Sequence, residues 1–259
     1  ENHPNGVLIH YFVKHAGPVK IDILETGGAL IRSFTPSAAA GGNRFVWDMR
    51  YPGYKTFPGM VFYSSPNLGP KAVPGRYRVR LTVGGQAQEQ EFEIRKDPRI
   101  AATQADFQQQ FDFLIRVRDK VSEAHQGILD LRKVRDDLKF VKAKVGEEAR
   151  YKDLADLVNR FEAELGEIEN SIHQTKNQSV QDPLNYGIKL NNRLAFLLYE
   201  QGQGDFRPTK QAEEVRVMLS RLIDAELARL RRALDTNVGK INQLAREKGL
   251  SLVMWSPAK

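Results

Sequence analysis

Hydrophobic and polar residues alternate along the first hundred residues of the chain. In the stretch VKIDILE, residues 19–25, Val19 and Ile21 fall on one side of the pattern and Lys20 on the other. Strict alternation is typical of a β-strand with one buried face. We count six or seven such runs separated by turns that contain glycine or proline. This predicts an antiparallel, immunoglobulin-like β-sandwich over residues 1–98.

The clearest pair of strands lies in GRYRVRLTVGGQAQEQEFEIRK, residues 75–96, where Gly84 and Gly85 form a two-residue hairpin turn. With that turn, residues whose numbers add up to 169 face each other. A slip by one residue would lose three ion pairs and one aromatic pair. These pairs are Arg80 with Glu89, Arg78 with Glu91, Arg76 with Glu93, and Tyr77 with Phe92.

After residue 98 the hydrophobic period changes to that of a helix. Thr103 and Asp106 form the pattern of a capping box, and apolar residues then recur at heptad spacing as far as Gly146. This predicts one helix of roughly 40 residues, on the order of 60 Å long. A second apolar pattern with three-four spacing, residues 154–172, predicts another helix.

Two further helices are expected. Asp182 and Pro183 resemble an N-cap and a first helical residue, which predicts that a third helix begins there. The fourth runs from about residue 208 to 248, with Gly249 as its C-terminal cap. Amphipathic helices with short connections predict an antiparallel four-helix bundle with long helices over residues 99–259, and hence an α+β protein of two domains.

Composition narrows the class of protein. The 259 residues include no cysteine, which excludes disulfides and thiolate metal sites. The sequence contains no run of about 18 apolar residues, so no membrane-spanning helix is predicted. The net charge of +7 divides into +5 before residue 100 (13 basic, 8 acidic) and +2 after it (26 basic, 24 acidic), without the basic block of a nucleic-acid binder. The chain opens without Met or a signal-peptide pattern, so we expect a processed chain or the end of a longer one.

Polar side chains are dense in NQSVQDPLNYGIKLNNRLAFLL, residues 177–198. Asparagine and glutamine form hydrogen bonds but are poor acids, bases and nucleophiles. Three interpretations stay open: bonding of backbone groups where two helices meet, a partner-binding surface, or a catalytic site, in that order of preference. The residues concerned are Asn177, Gln178, Asn185, Asn191 and Asn192.

No residue pattern predicts a reaction or a cofactor. The histidines do not have the spacing of metal ligands, and no glycine-rich phosphate loop lies between a strand and a helix. The first hundred residues hold only eight carboxylates, which disfavours the paired acids of a glycosidase. We therefore predict no enzyme activity, no metal and no cofactor. The histidines are His3, His10, His15, His125 and His173.

Aromatic residues cluster among prolines and glycines in the stretch FVWDMRYPGYKTFPGMVFYSS. Trp47 lies on an alternating strand and is expected in the core, whereas Tyr51, Tyr54 and Phe57 are expected in a loop. Aromatic side chains there could pack internally, anchor a protein interface or stack on sugars.

Two stretches carry a family resemblance. NRFVWDMRYPG, residues 43–53, and TKNQSVQDPLNYGIKLNNRLAFL, residues 175–197, resemble the C-terminal region of exported bacterial proteins whose front part is a sortilin-like or BNR-repeat propeller. Residues 7–83 also resemble the immunoglobulin-like module of flagellar hook-capping proteins. The resemblance implies export and a periplasmic or extracellular location. It offers no catalytic residues in this region.

We therefore expect a non-catalytic, exported structural or interaction subunit that docks onto a larger, membrane-associated protein assembly. Nucleic acid is not an expected partner. Two alternatives are a carbohydrate-binding accessory module of a secreted hydrolase and a remnant glycoside hydrolase. The expected contact residues are Tyr51, Tyr54, Phe57, Asn185 and Tyr186, together with Leu252, Val253, Met254 and Trp255 of the apolar tail.

Overall fold

The computed structural model describes residues 4–146 and 148–250. They form an α+β protein with antiparallel β-sheets and α-helices, as the hydrophobic pattern predicts. The chain divides into two compact units built from interleaved segments, and the boundary expected after residue 98 stays a prediction. Described residues of the first unit are 4–53, 67–116 and 200–209; those of the second are 54–66, 117–146, 148–199 and 210–250.

All strands found in the described residues belong to the first unit. β1 pairs with β6, β2 with β5, and a four-stranded sheet has the order β4-β3-β7-β8, all antiparallel. The strands are β1 (Val7–Val13), β2 (Gly17–Pro18), β3 (Lys20–Glu25), β4 (Leu30–Phe34), β5 (Ser37–Ala38), β6 (Gly41–Trp47), β7 (Gly75–Val83) and β8 (Gln86–Ile94).

The β7–β8 hairpin confirms the register predicted from its sequence. Gly84 and Gly85 have φ of 56° and 84°, as a type I′ turn requires, and each predicted pair occupies opposite positions. The aromatic pair stacks with ring centroids 5.9 Å apart. Of the predicted ion pairs, Arg80 donates to Glu89 at 2.7 Å as expected, whereas Arg78 also turns to Glu89, at 3.1 Å, and Glu93 pairs with Arg95 at 2.8 Å.

The core of the first unit forms around Trp47, which is fully buried at the end of β6. The rings of Tyr77 and Phe92 contact it edge-on at about 6 Å, so residues of the β7–β8 hairpin pack against a residue of the β1–β6 ladder. Alternating apolar residues of β1 and β3 complete this core. The expected core position of Trp47 is confirmed.

The helices in the part of the chain described here are α1 (Gln104–Val145), α2 (Lys152–Ile172), α3 (Leu190–Glu200) and α4 (Lys210–Glu247). The capping box of α1 is formed: Thr103 N donates to Asp106 Oδ2 at 2.9 Å, and Asp106 N to Thr103 Oγ1 at 3.2 Å. Gly146, with φ of 54°, ends the helix. In the second unit α2 packs against α4, and the apolar heptad residues of α1 are buried.

The predicted start of the third helix is wrong. Asp182 opens only a 3₁₀ turn (Asp182–Leu184), and α3 begins at Leu190. The Asp182 carboxylate accepts hydrogen bonds from Gln178 N at 2.6 Å and from Ser179 N at 2.9 Å. It therefore fixes the chain that precedes it instead of capping a helix that follows. Among residues 4–146 and 148–250, no helix has the length and apolar content needed to cross a membrane.

Candidate functional site

An irregular segment of residues 54–66, which we call the covering segment, packs on the helices of the second unit. It turns sharply at Phe57-Pro58-Gly59-Met60, where Met60 N donates to Phe57 O at 3.3 Å and Gly59 has φ of 74°. Proline followed by glycine with positive φ is the signature of a type II turn. The turn directs Phe57 into the unit, where only 5% of its surface is exposed.

Asn192 of α3 holds the far end of the covering segment. Its Oδ1 accepts from Tyr63 N at 2.9 Å, and its Nδ2 donates to Tyr63 O at 3.0 Å and to Ser65 Oγ at 2.9 Å. The side-chain amide thus pairs with both main-chain groups of Tyr63, as a neighbouring strand would. Because Asn192 is buried, these bonds form away from water and breaking them would leave unpaired polar groups.

Beneath the covering segment, Asn191 lies between two buried histidines. Its Nδ2 is 3.2 Å from His125 Nε2 and 3.3 Å from His173 Nδ1, and its Oδ1 accepts from Asn192 N at 2.8 Å. An amide nitrogen only donates, so both contacted ring nitrogens accept. We therefore assign the proton of His125 to Nδ1, where it is donated to the carbonyl of Lys55, and that of His173 to Nε2.

Both histidines are held in the neutral form. Burial lowers the pKa of His125 to about 4. Burial, with the nearby charge of Arg132, also lowers the pKa of His173 to about 4. Phe57 stands edge-on to both imidazoles, at 4.9 and 4.8 Å between ring centroids. Two neutral imidazoles with these hydrogen bonds hold the covering segment in place. Because both are buried, they are poorly placed to exchange protons with solvent.

A charged network borders the same cluster. Glu169 of α2 is buried and accepts from Arg132 Nε at 2.7 Å and from Arg135 Nη1 at 2.6 Å. Arg132 also donates to Pro58 O at 2.7 Å and lies over the Phe57 ring at 4.7 Å from its centroid. The network therefore ties α1, α2 and the turn of the covering segment together.

The aromatic residues that were expected to contact a partner belong to different units of the chain. Tyr54 and Phe57 belong to the second unit and are buried, and Tyr54 donates to Ser65 O at 2.7 Å. Burial raises the pKa of Tyr54 to about 12. Tyr51 belongs to the first unit, where it donates to Glu25 at 2.8 Å. Tyr54 and Phe57 lie in an irregular segment, as expected, but their side chains are buried inside the chain, which corrects the expectation that they face a partner.

The remaining expected contact residues have different positions. Asn185 and Tyr186 follow the 3₁₀ turn and are exposed, and Lys176 lies 5.5 Å from the Tyr186 ring centroid. The tail residues lie outside the described part of the chain; they are Leu252, Val253, Met254 and Trp255.

Other residues singled out from the sequence differ in their position and in their exposure. His10 and His15 are exposed in the first unit, and His3 is outside the described residues. Asn177 is buried, whereas Gln178 is exposed. No three of the described histidine and carboxylate side chains group as metal ligands.

The sequence did not indicate which residues meet at the site. Asn191, Asn192, His125 and His173 were each singled out, but no spacing predicted that they share one buried cluster. Arg132, Glu169 and Ser65 had no signal of their own. Comparison with protein-family models, with curated proteins and with solved structures gives no match for this chain, so the fold and the site are the evidence on function.

Proposed function

We propose that this chain is a non-catalytic structural and interaction module of a larger, membrane-associated protein assembly. In this proposal the first unit is an immunoglobulin-like sandwich and the second is an antiparallel four-helix bundle. Support for the sandwich comes from the core shared by the β1–β6 ladder and the β7–β8 hairpin. Support for export and a periplasmic or extracellular location is the family resemblance of residues 43–53 and 175–197.

The observation that carries the proposal is an apolar stripe on α4, formed by Val215, Met218 and Leu222. Their exposed fractions are 38%, 52% and 47%, although the helix is otherwise rich in charge. Spacings of three and four residues place them on one helix face. An exposed apolar stripe bordered by charged residues is typical of a surface that a partner covers.

The segment around Asn185 offers a second apolar surface. Leu184 is 74% exposed and Val180 62%, and Tyr186 is also exposed. These residues lie in the stretch that carries the family resemblance. We propose that Asn185 and Tyr186 contact the same assembly, as the sequence predicts.

The buried polar side chains of the second unit support an architectural role. Both ring nitrogens of His125 are bonded, and the Asn192 amide is used to hold Tyr63 and Ser65. These groups stabilise the covering segment. A module built in this way would hold its exposed faces in fixed positions for a partner.

The first test is affinity purification of the chain from native membranes and soluble extract, with mass spectrometry that measures stoichiometry. We expect a partner at about one copy per chain that survives moderate salt. Met218→Asp should reduce its recovery by about tenfold, since a charge would be buried in an apolar contact.

The matched control is Phe140→Asp, which places the same charge on an exposed apolar residue of α1. It should leave recovery of the partner unchanged. Recovery of the chain alone, or equal recovery by both variants, would contradict the proposal.

One observation favours the carbohydrate-binding alternative. A cavity of about 350 Å³ in the first unit is lined by Tyr51, Phe111, Glu25 and Arg76, among others. Aromatic and charged groups of this kind bind sugars, but the Tyr51 ring contacts Phe111 at 64°, so the two do not form a flat platform. Calorimetric titration with a panel of oligosaccharides, repeated on Tyr51→Ala, tests this alternative. Binding heat from the unsubstituted chain, with none from Tyr51→Ala, would favour it.

A further inference from the structure

The second unit contains a polar cavity between α1 and α2 that the covering segment does not fill. Its volume is about 430 Å³, within the range of small-ligand sites. Three cationic side chains of α1 line it, with polar and acidic groups from both helices and from the residues that follow α2. The charged and hydroxyl-bearing lining residues are Arg132, Arg135, Asp136, Lys139, Glu169 and Thr175.

Glu169 does not neutralise the cavity. Its carboxylate is almost completely buried, and it is shared by Arg132 and Arg135. One negative charge therefore faces two guanidinium groups. Arg132 uses its Nε and Arg135 its Nη1 to bond Glu169, and Arg132 uses its Nη1 to bond Pro58 O. A guanidinium group carries five N–H donors, so both side chains keep further donors.

Arg135 retains unused donor capacity. Among the described residues its Nε–H is buried and has no hydrogen-bond partner. A buried donor without a partner destabilises the folded chain. The Arg135 side chain as a whole lines the cavity and is 32% exposed, so its guanidinium group can meet an acceptor from outside the chain.

Lys139 adds a third positive charge at the same cavity. Its partner Asp136, at 2.8 Å, is 72% exposed, so solvent screens that ion pair. Counting the lining side chains gives three cations and two carboxylates, a net charge of +1. The cavity therefore favours an anion, and the surplus donors are N–H groups.

We propose that this cavity binds a phosphate group, free or esterified. Two guanidinium groups and one ammonium group offer several N–H donors to the acceptor oxygens of phosphate. The charge of phosphate, about −1.5 to −2, is opposite in sign to the net positive charge of the cavity and larger in magnitude. The volume also exceeds what one carboxylate would fill. This inference is independent of the proposed role as an assembly module.

The test is a titration with inorganic phosphate and, separately, with O-phosphoserine, followed by NMR of the arginine Nε–H signals. We expect a saturable shift of the Arg135 Nε–H signal, because phosphate would bind the guanidinium group that carries that proton. Tighter binding of O-phosphoserine would indicate an esterified ligand, and tighter binding of inorganic phosphate a free one.

Lys139→Gln provides the first variant, because Lys139 is exposed and does not bond to Glu169, so folding should be unaffected. Its phosphate affinity should fall about tenfold, the loss of one charge-assisted contact. The control is Lys240→Gln, which removes the same charge from an exposed position on α4 and should change nothing.

Three results would overturn the proposal. They are the absence of a saturable Arg135 shift, an equal shift with chloride at matched ionic strength, and an equal loss of affinity in both variants. A stability measurement on each variant, by thermal unfolding, separates lost binding from lost folding.

Discussion

The orientation of one amide decides the charge state of two histidines. Asn191 Oδ1 is occupied by the backbone N–H of Asn192, so its NH₂ group must face both imidazoles. A proton added to either contacted ring nitrogen would place one donor against another. Burial is the main cause that opposes protonation of His125 and His173, and the NH₂ group of Asn191 adds to it.

The free energy of unfolding of the chain should fall in mild acid. The folded pKa values of His125 and His173, about 4, lie below the value of 6.5 expected for an unfolded chain. The neutral imidazoles thus make their full contribution to the free energy of unfolding above pH 6.5, and this contribution is lost as pH falls toward 4. Between pH 7 and pH 5 we expect a loss on the order of 1–2 kcal/mol for each histidine in urea unfolding.

The matched control is the double variant His10→Gln, His15→Gln, which removes exposed imidazoles and should retain the full loss of stability. A control that lost its pH dependence would attribute the effect to the surface histidines and contradict the assignment to the buried pair.

At the scale of elements, side chains of α4 pack against α1 at Gly127. A Cβ added to Gly127 would lie 2.5 Å from Leu227 Cδ2. Leu227 is itself buried, so its side chain has little room to move. The absence of a side chain at residue 127 therefore leaves the space that the Leu227 methyl group occupies.

Gly127→Ala and Gly239→Ala should have opposite effects. Alanine favours a helix over glycine by about 1 kcal/mol, and residue 239 of α4 has open space for a methyl group. Gly239→Ala should thus stabilise the chain by about 0.5–1 kcal/mol, whereas Gly127→Ala should lose that gain and destabilise it by about 1–3 kcal/mol through overpacking. Chemical denaturation measures both; a stabilising Gly127→Ala would show that Leu227 moves aside.

Elements with a local pattern could be predicted from the sequence. The β7–β8 register followed from Gly84-Gly85 and facing charges, and α1 followed from its capping box and heptads. The third helix was misplaced because Asp182 binds residues before it, and an N-cap preference does not show in which direction a carboxylate bonds. The site left no periodic signal, since Asn192 binds Tyr63 across 129 positions of the chain.

At the scale of the molecule, each compact unit is assembled from separated stretches of chain. The covering segment belongs with helical residues from 117 onward, and residues 200–209 belong with the strands. Gln110 bonds to the carbonyls of Gln201 and Gly204 at 2.8 and 2.6 Å, which secures this second insertion within the first unit. A cut at residue 98 would therefore remove part of the second unit.

A fragment of residues 99–259 should be less stable than the same helices in the full chain. Without the covering segment, the Asn192 amide, the Nδ1–H of His125 and the Arg132 contact to Pro58 lose their partners. Each unpaired buried group costs about 1–3 kcal/mol, although water would satisfy part of this. Thermal unfolding by circular dichroism should show a lower and broader transition for the fragment.

Adding a synthetic peptide of residues 54–66 should raise the transition temperature of the fragment in a concentration-dependent way. A peptide with Tyr54→Ala and Phe57→Ala, which lacks both buried rings, should not. A fragment as stable as the intact chain would support an independent domain that begins at residue 99.

The separation between Tyr63 and Asn192 also constrains the order of events during synthesis. The covering segment leaves the ribosome 129 residues before the asparagine that binds it. At about 5–20 residues per second, that interval lasts roughly 6–26 seconds. Throughout it Tyr54, Phe57 and Phe62 have no native partners on the later helices, and closing so long a loop is entropically costly. The nascent chain should therefore depend on a holding chaperone during this interval, and a pause in translation before α3 would lengthen that dependence.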